Sequence, residues 1–328
     1  MKIAVTGGTG YLGAHTVRAL LEAGHSVRLL VAPGCENEPV IPRLAELGEL
    51  TPMPGDIRDA QVIAALLDGC DALLHGAGVV GTNDRLQQLM WEINAHATEA
   101  ILTRAVQTGL DPVVSVSSYS TLFPPPDGVI GPDSPVVPGR SAYARTKAYG
   151  ERAARRLQDD GAPVVITYPS SVVGPAFHTP PGVTERGWAP ILRWRMAPSV
   201  SGGMAMVDVR DLGRVHEALM RPGRGPRRYL CGGAMVTFDE MIAAVEQGLG
   251  ARVRRIPISP AMFRLAGRIG DVVSRFVPLP EGLSYEAAWL LTSATPTDDS
   301  RTLAELGLQW NSPIDAIVDS LTVSAPNG

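Results

Sequence analysis

Cysteine is scarce: Cys35, Cys70 and Cys231 are the three in 328 residues. Odd in number and far apart, they exclude a disulfide framework and offer no metal-ligand spacing, so no metal is expected and a reducing cytoplasm is the expected compartment. No excess of basic charge exists either. The formal net charge is −4, which gives no field for nucleic acid or an anionic membrane, and neither partner is expected. No apolar run reaches the roughly 18 residues of a membrane span. Met1–Gly7 breaks its apolar run with glycine too early for a signal peptide. Aromatics are only 5%. Plentiful instead are glycine (35) and proline (28) against a 45% hydrophobic background, as suits many tight turns in an ordinary globular composition. Arginines cluster twice. Arg221, Arg224, Arg227 and Arg228 alternate with Pro and Gly and read as solvated turns. Arg252, Arg254 and Arg255 flank Val253 and fit the outer face of a short strand.

Apolar periodicity switches repeatedly between two and 3.6. Strands are expected at 2–6, 26–31, 50–53, 71–75, 112–117 and 163–168. Helices are expected at 11–23, 43–47, 60–67, 85–107 and 141–159. Six alternations over about 170 residues predict an α/β fold, a doubly wound parallel sheet of the Rossmann type. After Gly174 the rhythm changes. Residues 176–205 read as a Pro- and Gly-rich insertion, 206–232 return to strand and helix, and the remainder is mostly helical (238–249, 260–275, 284–292, 313–322). The expected division is a dinucleotide-binding domain of 1–175 with 206–232, and a smaller, mostly helical substrate domain of 176–205 with 233–328.

The first strand runs into Gly7, Gly10 and Gly13, a G-x-x-G-x-x-G spacing that opens a helix. Glycines permit the tight turn, let backbone N–H groups approach a pyrophosphate, and let helix pack close to strand. The helix N-terminus adds partial positive charge. A dinucleotide site usually carries an acid about 20 residues on, for the ribose 2′-hydroxyl. Here that stretch is Leu30-Val31-Ala32-Pro33-Gly34, with neither acid nor arginine. The missing acid leans the expectation to NADP over NAD. Asp56, after the third strand, is read either as a hydrogen-bond acceptor for the adenine amine or as the cap of the helix at 60–67.

Tyr143 and Lys147 lie one helical turn apart on one face. The ammonium is expected to pull the phenol down from its usual value of about 10, making a proton donor usable at neutral pH. Ser117 and Ser118 end the fifth strand, where open α/β sheets bind ligands. One of the two faces the crevice, and the spacing to Tyr143 favours Ser118.

Taken in order, these motifs resemble the extended short-chain dehydrogenase/reductase superfamily, also called the NAD-dependent epimerase/dehydratase family. The resemblance is carried by Thr6–Gly13, Gly55-Asp56, His75–Gly78, Asn94 with Thr98, Ser117-Ser118, Tyr143 with Lys147, Tyr168–Pro175, Val207–Leu212 and Asp299–Arg301. It implies that Tyr143 is the acid/base, that Lys147 tunes it and bonds the nicotinamide ribose, and that Ser118 donates a second hydrogen bond to the reacting oxygen. It implies cofactor contacts at Gly7, Gly10, Tyr11, Leu12, Gly13, Asp56, Ile57, Gly76, Ala77, Gly78, Ser117, Tyr143 and Lys147, and at Pro169, Ser170, Ser171 and Val172 near the nicotinamide. Within the superfamily the chain looks most like the dihydroflavonol-reductase branch. Sugar-nucleotide epimerases usually place Asn after the sixth strand, where this chain has Ser170-Ser171, and sugar dehydratases follow the active-site hydroxyl with Asp-Glu, where it has Tyr119-Ser120.

The expected function is therefore NAD(P)(H)-dependent interconversion of a small, largely apolar carbonyl compound and its alcohol. The alternatives are a sugar-nucleotide epimerase with tightly held NAD and a non-catalytic dinucleotide-binding sensor; such sensors typically lose the Tyr/Lys pair, which this chain keeps. Phe123, Phe177, Trp188, Trp194 and Met196 fall in segments that cover the substrate in the family. The competing reading makes them core of the small domain. His75 is expected to bond backbone at its strand end, and Asn94 to bond backbone near the site. The helices at 85–107 and 141–159 often form a dimer interface in the superfamily. Leu86, Leu89, Met90, Ile93 and Ile101 fit either that interface or the sheet.

Overall fold

The computed structural model describes residues 1–80, 86–273 and 284–323. Seven strands form one sheet: β1 (Lys2–Thr6), β2 (Ser26–Val31), β3 (Leu50–Pro54), β4 (Ala72–His75), β5 (Val113–Val116), β6 (Val164–Pro169) and β10 (Arg227–Cys231). Their spatial order is β10-β6-β5-β4-β1-β2-β3, and every neighbouring pair is parallel. Helices cover both faces, so the central strands are buried on both sides; β4 and β6 are buried at every residue. That is why they read as continuous apolar runs rather than alternating ones. One face packs Val17, Leu20, Leu212 and Val215 from the helices Tyr11–Glu22 and Val209–Ala218. The other packs Ile63, Ile101, Leu102 and Ala154 from the helices Ala60–Leu67, Thr98–Gln107 and Ala142–Asp159.

The strand order reverses beside β1: β2 and β3 lie to one side, β4 to the other, with Thr6 opposite His75. Loops leaving β1 and β4 must diverge there. The resulting crevice at the carboxyl ends is where doubly wound sheets take ligands.

Two of the remaining strands fall where the sequence placed a strand, near 206 and at 252–255; those at 171–173, 196–199 and 234–237 escaped the sequence reading. Ser171–Val173 (β7), Gly203–Asp208 (β9) and Ala234–Thr237 (β11) form a three-stranded sheet. Met196–Ser199 (β8) pairs in parallel with Arg254–Pro257 (β12). At three or four residues, with partners distant in sequence, the ones that escaped leave little local periodicity. A helix at Ser300–Leu306 was also missed, and the expected helix at 43–47 lies at Val40–Ala45. The long helix expected from 85 begins at Gln87, because Arg85 lies outside the described residues, and is interrupted by a π-helical stretch at Trp91–Ala97. Such stretches occur often at functional sites. The helix expected at 260–275 is described to Val273. Arg227 and Arg228 stand on β10, not in a turn, and Arg228 Nε donates to Gln158 Oε1 at 2.7 Å. Met90 and Ile101 are fully buried within the chain, whereas Leu86 is exposed.

A buried ion pair ties the Ala142–Asp159 helix to β6. Arg155 Nε lies 2.8 Å from Glu151 Oε1, and the Tyr168 hydroxyl donates to the same oxygen at 2.6 Å. Glu151→Ala leaves the arginine and the phenol without their acceptor. Such breakage costs about 3–5 kcal/mol, and thermal unfolding of the variant should show a correspondingly large fall in Tm.

Candidate active site

The glycine loop is packed to its limit. A Cβ on Gly13 would stand 2.0 Å from Gly7 O, and one on Gly7 would meet Ala77 N at 2.6 Å. Gly10 differs: it is exposed, and a Cβ there meets Gly7 O alone, at 3.4 Å. Gly10 is also the N-cap of the Tyr11–Glu22 helix, with no side-chain cap. The first-turn N–H groups are therefore left for an external acceptor. The Leu12 side chain packs into the core. Tyr11 donates to Gly174 O at 2.7 Å and Glu185 Oε1 at 3.3 Å, so each of these two has its backbone N–H rather than its side chain to offer.

Contacts run on from the loop in a circuit. Gly76 N bonds Thr6 O and Ala77 N bonds Thr6 Oγ1, holding the β4 exit against β1. Gly78 is glycine because Asn94 Oδ1 lies 3.3 Å and Lys147 Nζ 3.9 Å from where its Cβ would be. Asn94, inside the π-helical stretch, clamps Val79: Oδ1 accepts from its N–H at 2.7 Å and Nδ2 donates to its carbonyl at 2.9 Å. Lys147 Nζ donates to Val116 O at 2.9 Å. Two residues on, Ser118 lies near enough to Tyr143 to lower the phenol's pKa. The structure thus brings Gly7–Gly13, Gly76–Gly78, Ser118, Tyr143 and Lys147 together at the crevice.

The electrostatics differ from expectation. Burial pushes Tyr143 up to about 12; the Ser118 hydroxyl lowers it and the Glu286 carboxylate raises it. Desolvation of the phenolate is the largest cause, and the expected pull of Lys147 is not among the causes. Lys147 itself is pushed down to about 8 by burial, opposed by Glu151. At neutral pH both groups stay protonated: the tyrosine is a ready donor and the lysine a cation.

Ser118 also caps the turn Tyr119–Leu122 and shares a 2.9 Å hydrogen bond with Ser120 Oγ. Ser117 Oγ is buried with no partner among the described residues. Ser170 Oγ is committed to Gly232 O at 2.8 Å. Ser171 Oγ lies 3.5 Å from the Tyr119 hydroxyl. Pro169 ends β6, and Val172 packs partly into the core.

Asp56 does not cap the helix at 60–67. Asp59 does, accepting from Gln61 N, while Asp56 is held by the Arg58 guanidinium and backbone. Ile57 is buried core, which leaves its backbone for a ligand. His75 bonds two hydroxyls, Thr6 Oγ1 and Thr98 Oγ1, at 2.8 Å each rather than backbone, and burial holds it near 3. It is neutral and structural.

Sequence reasoning placed a helix at 284–292, found at Tyr285–Ser293, but missed that it reaches the site. Glu286 Oε2 accepts from Ser141 N at 2.7 Å, at the start of the Tyr143 helix. Trp289 packs edge-on to Phe123 at 4.9 Å, with the Arg140 guanidinium 4.4 Å from its ring. No local signal links residues 145 apart in the chain. Of the expected lid residues, Phe123 lies here. Trp188 is buried in a separate core cluster, Phe177 packs on His15, and Trp194 and Met196 face outward at 61% and 41% exposure. Glu286→Gln keeps a hydrogen-bond acceptor and removes the charge that raises Tyr143. The acid limb of alcohol oxidation, read from kcat/KM against pH, should move to lower pH.

A seven-stranded parallel sheet with an uncapped glycine loop at its switch point defines the Rossmann class of dinucleotide-binding proteins. The model of the NAD-dependent epimerase/dehydratase family matches residues 3–232. "Sterol demethylase protein B" of Methylococcus capsulatus is 30% identical, covering 98% of this chain and 97% of that protein. "Putative dihydroflavonol 4-reductase" of Synechocystis sp. is 28% identical, covering 97% and 92%. Among solved structures, a dTDP-glucose 4,6-dehydratase double mutant from Streptomyces venezuelae with NAD bound superposes with a TM-score of 0.76 at 25% identity, covering 100% of this chain and 98% of that one. The chain belongs to the NAD-dependent epimerase/dehydratase family, within the extended short-chain dehydrogenase/reductases, and is an NAD(P)-dependent oxidoreductase.

Proposed function

We propose that this enzyme interconverts a small, largely apolar carbonyl compound and its alcohol, with Tyr143 as the acid/base. The observation that carries the reading is the convergence of Tyr143, Ser118 and Lys147 beside Gly78 at the crevice, next to the apolar Phe123–Trp289 wall. The unpartnered Ser117 hydroxyl and the uncapped glycine loop fit a dinucleotide. When bound, the nicotinamide supplies or accepts the hydride. Backbone N–H groups of Gly10–Gly13 would hold its phosphates, Lys147 and Ser117 its ribose and amide side, and Asp56 its adenine. Ser118 orients the carbonyl oxygen, and Tyr143 delivers the proton to the developing alkoxide. Pushed up to about 12 by desolvation, Tyr143 holds that proton at neutral pH and is ready to donate it. Relatives named as reductases and a ketoreductase support the same chemistry.

For the cofactor we propose NADP(H). Ala32, just after β2, offers no carboxylate to repel a 2′-phosphate. Titration of the enzyme with each reduced cofactor should show NADPH binding at least about tenfold tighter, a difference of about 1.4 kcal/mol. Equal or tighter binding of NADH overturns this choice. The reaction is tested with a panel of aryl and alkyl aldehydes and ketones, reading cofactor oxidation against alcohol formed; turnover with none of them overturns the proposal.

A further inference from the structure

One helix carries an apolar face that nothing in the described fold covers. The helix Pro260–Val273 buries Gly267 and Gly270, with Gly267 against Ser284 and Tyr285, and packs Phe263 on Phe238. Facing away from that seam, Met262, Leu265, Ile269 and Val272 are 60%, 56%, 56% and 55% exposed. Their i, i+3, i+7 and i+10 spacing makes a single stripe, about 15 Å long at 1.5 Å per residue. Singly exposed apolar side chains are ordinary, but a contiguous stripe marks an interaction surface.

The stripe continues into the ribbon before it. β12 ends at Pro257, Ile258 N bonds Ser199 O of β8, and the helix starts at Pro260. Met196 stands opposite Arg254, and Pro198 opposite Ile256, so Met196, Arg254 and Ile256 share one ribbon face. Met196 and Ile256 are 41% and 43% exposed, and Trp194, just before, 61%.

Charge identifies the occupant. The segments 193–199, 252–258 and 260–273 hold Arg193, Arg195, Arg252, Arg254, Arg255, Arg264 and Arg268 against a single acid, Asp271, in a chain whose net charge is −4. Three are engaged within the fold: Arg255 with Glu246, Arg264 with Thr292, and Arg268 over the Tyr285 ring. Arg193, Arg195, Arg252 and Arg254 are exposed and make no ion pair among the described residues. A second copy docking by the same patch would set arginine against arginine, because a two-fold interface is self-complementary. An anionic bilayer satisfies both features: its headgroups take the arginines, and its acyl boundary takes the stripe and Trp194.

We propose that the Pro260–Val273 helix and the β8–β12 ribbon form a peripheral docking surface for anionic lipid bilayers. This does not conflict with the absence, among the described residues, of a helix able to cross a membrane, since the stripe lies on the interface.

The test is co-sedimentation of the full chain with vesicles of phosphatidylcholine alone or mixed with phosphatidylglycerol. The wild type should sediment with the mixed vesicles and not with phosphatidylcholine alone, and should be released by salt. L265E/I269E, on the exposed stripe, should weaken the association at least about tenfold while leaving reductase activity on a soluble substrate intact. R193Q/R254Q should weaken it with the stripe untouched. No sedimentation with anionic vesicles, or sedimentation unaffected by both variants, overturns the proposal. So does a wild-type dimer in sedimentation velocity that L265E/I269E converts to monomer, which would assign the stripe to a second copy.

Discussion

Tyr143→Phe should lower kcat for carbonyl reduction by about 10²–10⁴, the usual contribution of a positioned general acid, or about 3–5 kcal/mol of barrier. Cofactor affinity should hardly change. Phenylalanine keeps the ring, and the hydroxyl it removes stands by Ser118 rather than in the glycine loop. The partially buried ring lies on a helix whose first turn is capped by Ser141 Oγ and tethered by Glu286, so the variant should fold as the wild type does. The measurement is kcat and KM for one ketone beside the dissociation constant of the cofactor. A fall in kcat alone supports the assignment. Unchanged turnover removes Tyr143 from the chemistry, and loss of cofactor binding with it would mark the residue as structural.

Two glycines of the loop should behave differently, for geometric reasons. A Cβ on Gly13 would overlap the Gly7 carbonyl at 2.0 Å, with Gly7 C at 2.7 Å and Gly8 Cα at 2.8 Å. All three atoms are backbone, so no side chain can swing aside and the loop itself must move. Gly13→Ala should cost about 1–3 kcal/mol of stability, as overpacking does, and should weaken dinucleotide binding by about 100-fold or more, since the N–H groups that approach the phosphates are displaced. At Gly10 an added methyl meets Gly7 O at 3.4 Å and no other described atom within 4 Å. Gly10→Ala should therefore melt like the wild type, yet bind cofactor more weakly because the methyl occupies the phosphate approach. Melting and cofactor titration on the pair separate the two effects. Equal damage to both properties in both variants would contradict the packing account.

Much of this was legible because it was local. The glycine spacing, the helical Tyr143–Lys147 pair and the strand-helix rhythm are short-range patterns, and the parallel sheet follows from them. What was hidden depended on distance or on burial. Glu286 and Trp289 reach the site from a helix far along the chain. The direction of the Tyr143 shift depends on desolvation, which spacing does not reveal. Asp59 rather than Asp56 caps its helix because Arg58 claims Asp56. β7, β8 and β11 exist through pairings with remote strands.

The central claim is that these residues reduce a carbonyl group with net consumption of cofactor. Its most direct test is the stoichiometry of a reaction run with NADPH and an apolar aryl ketone, with the alcohol product quantified against cofactor oxidised. One alcohol formed per cofactor consumed, abolished in Tyr143→Phe, is the predicted result. Tightly held NAD that co-purifies, shows no net oxidation or reduction, and supports epimerisation of a sugar nucleotide would contradict it.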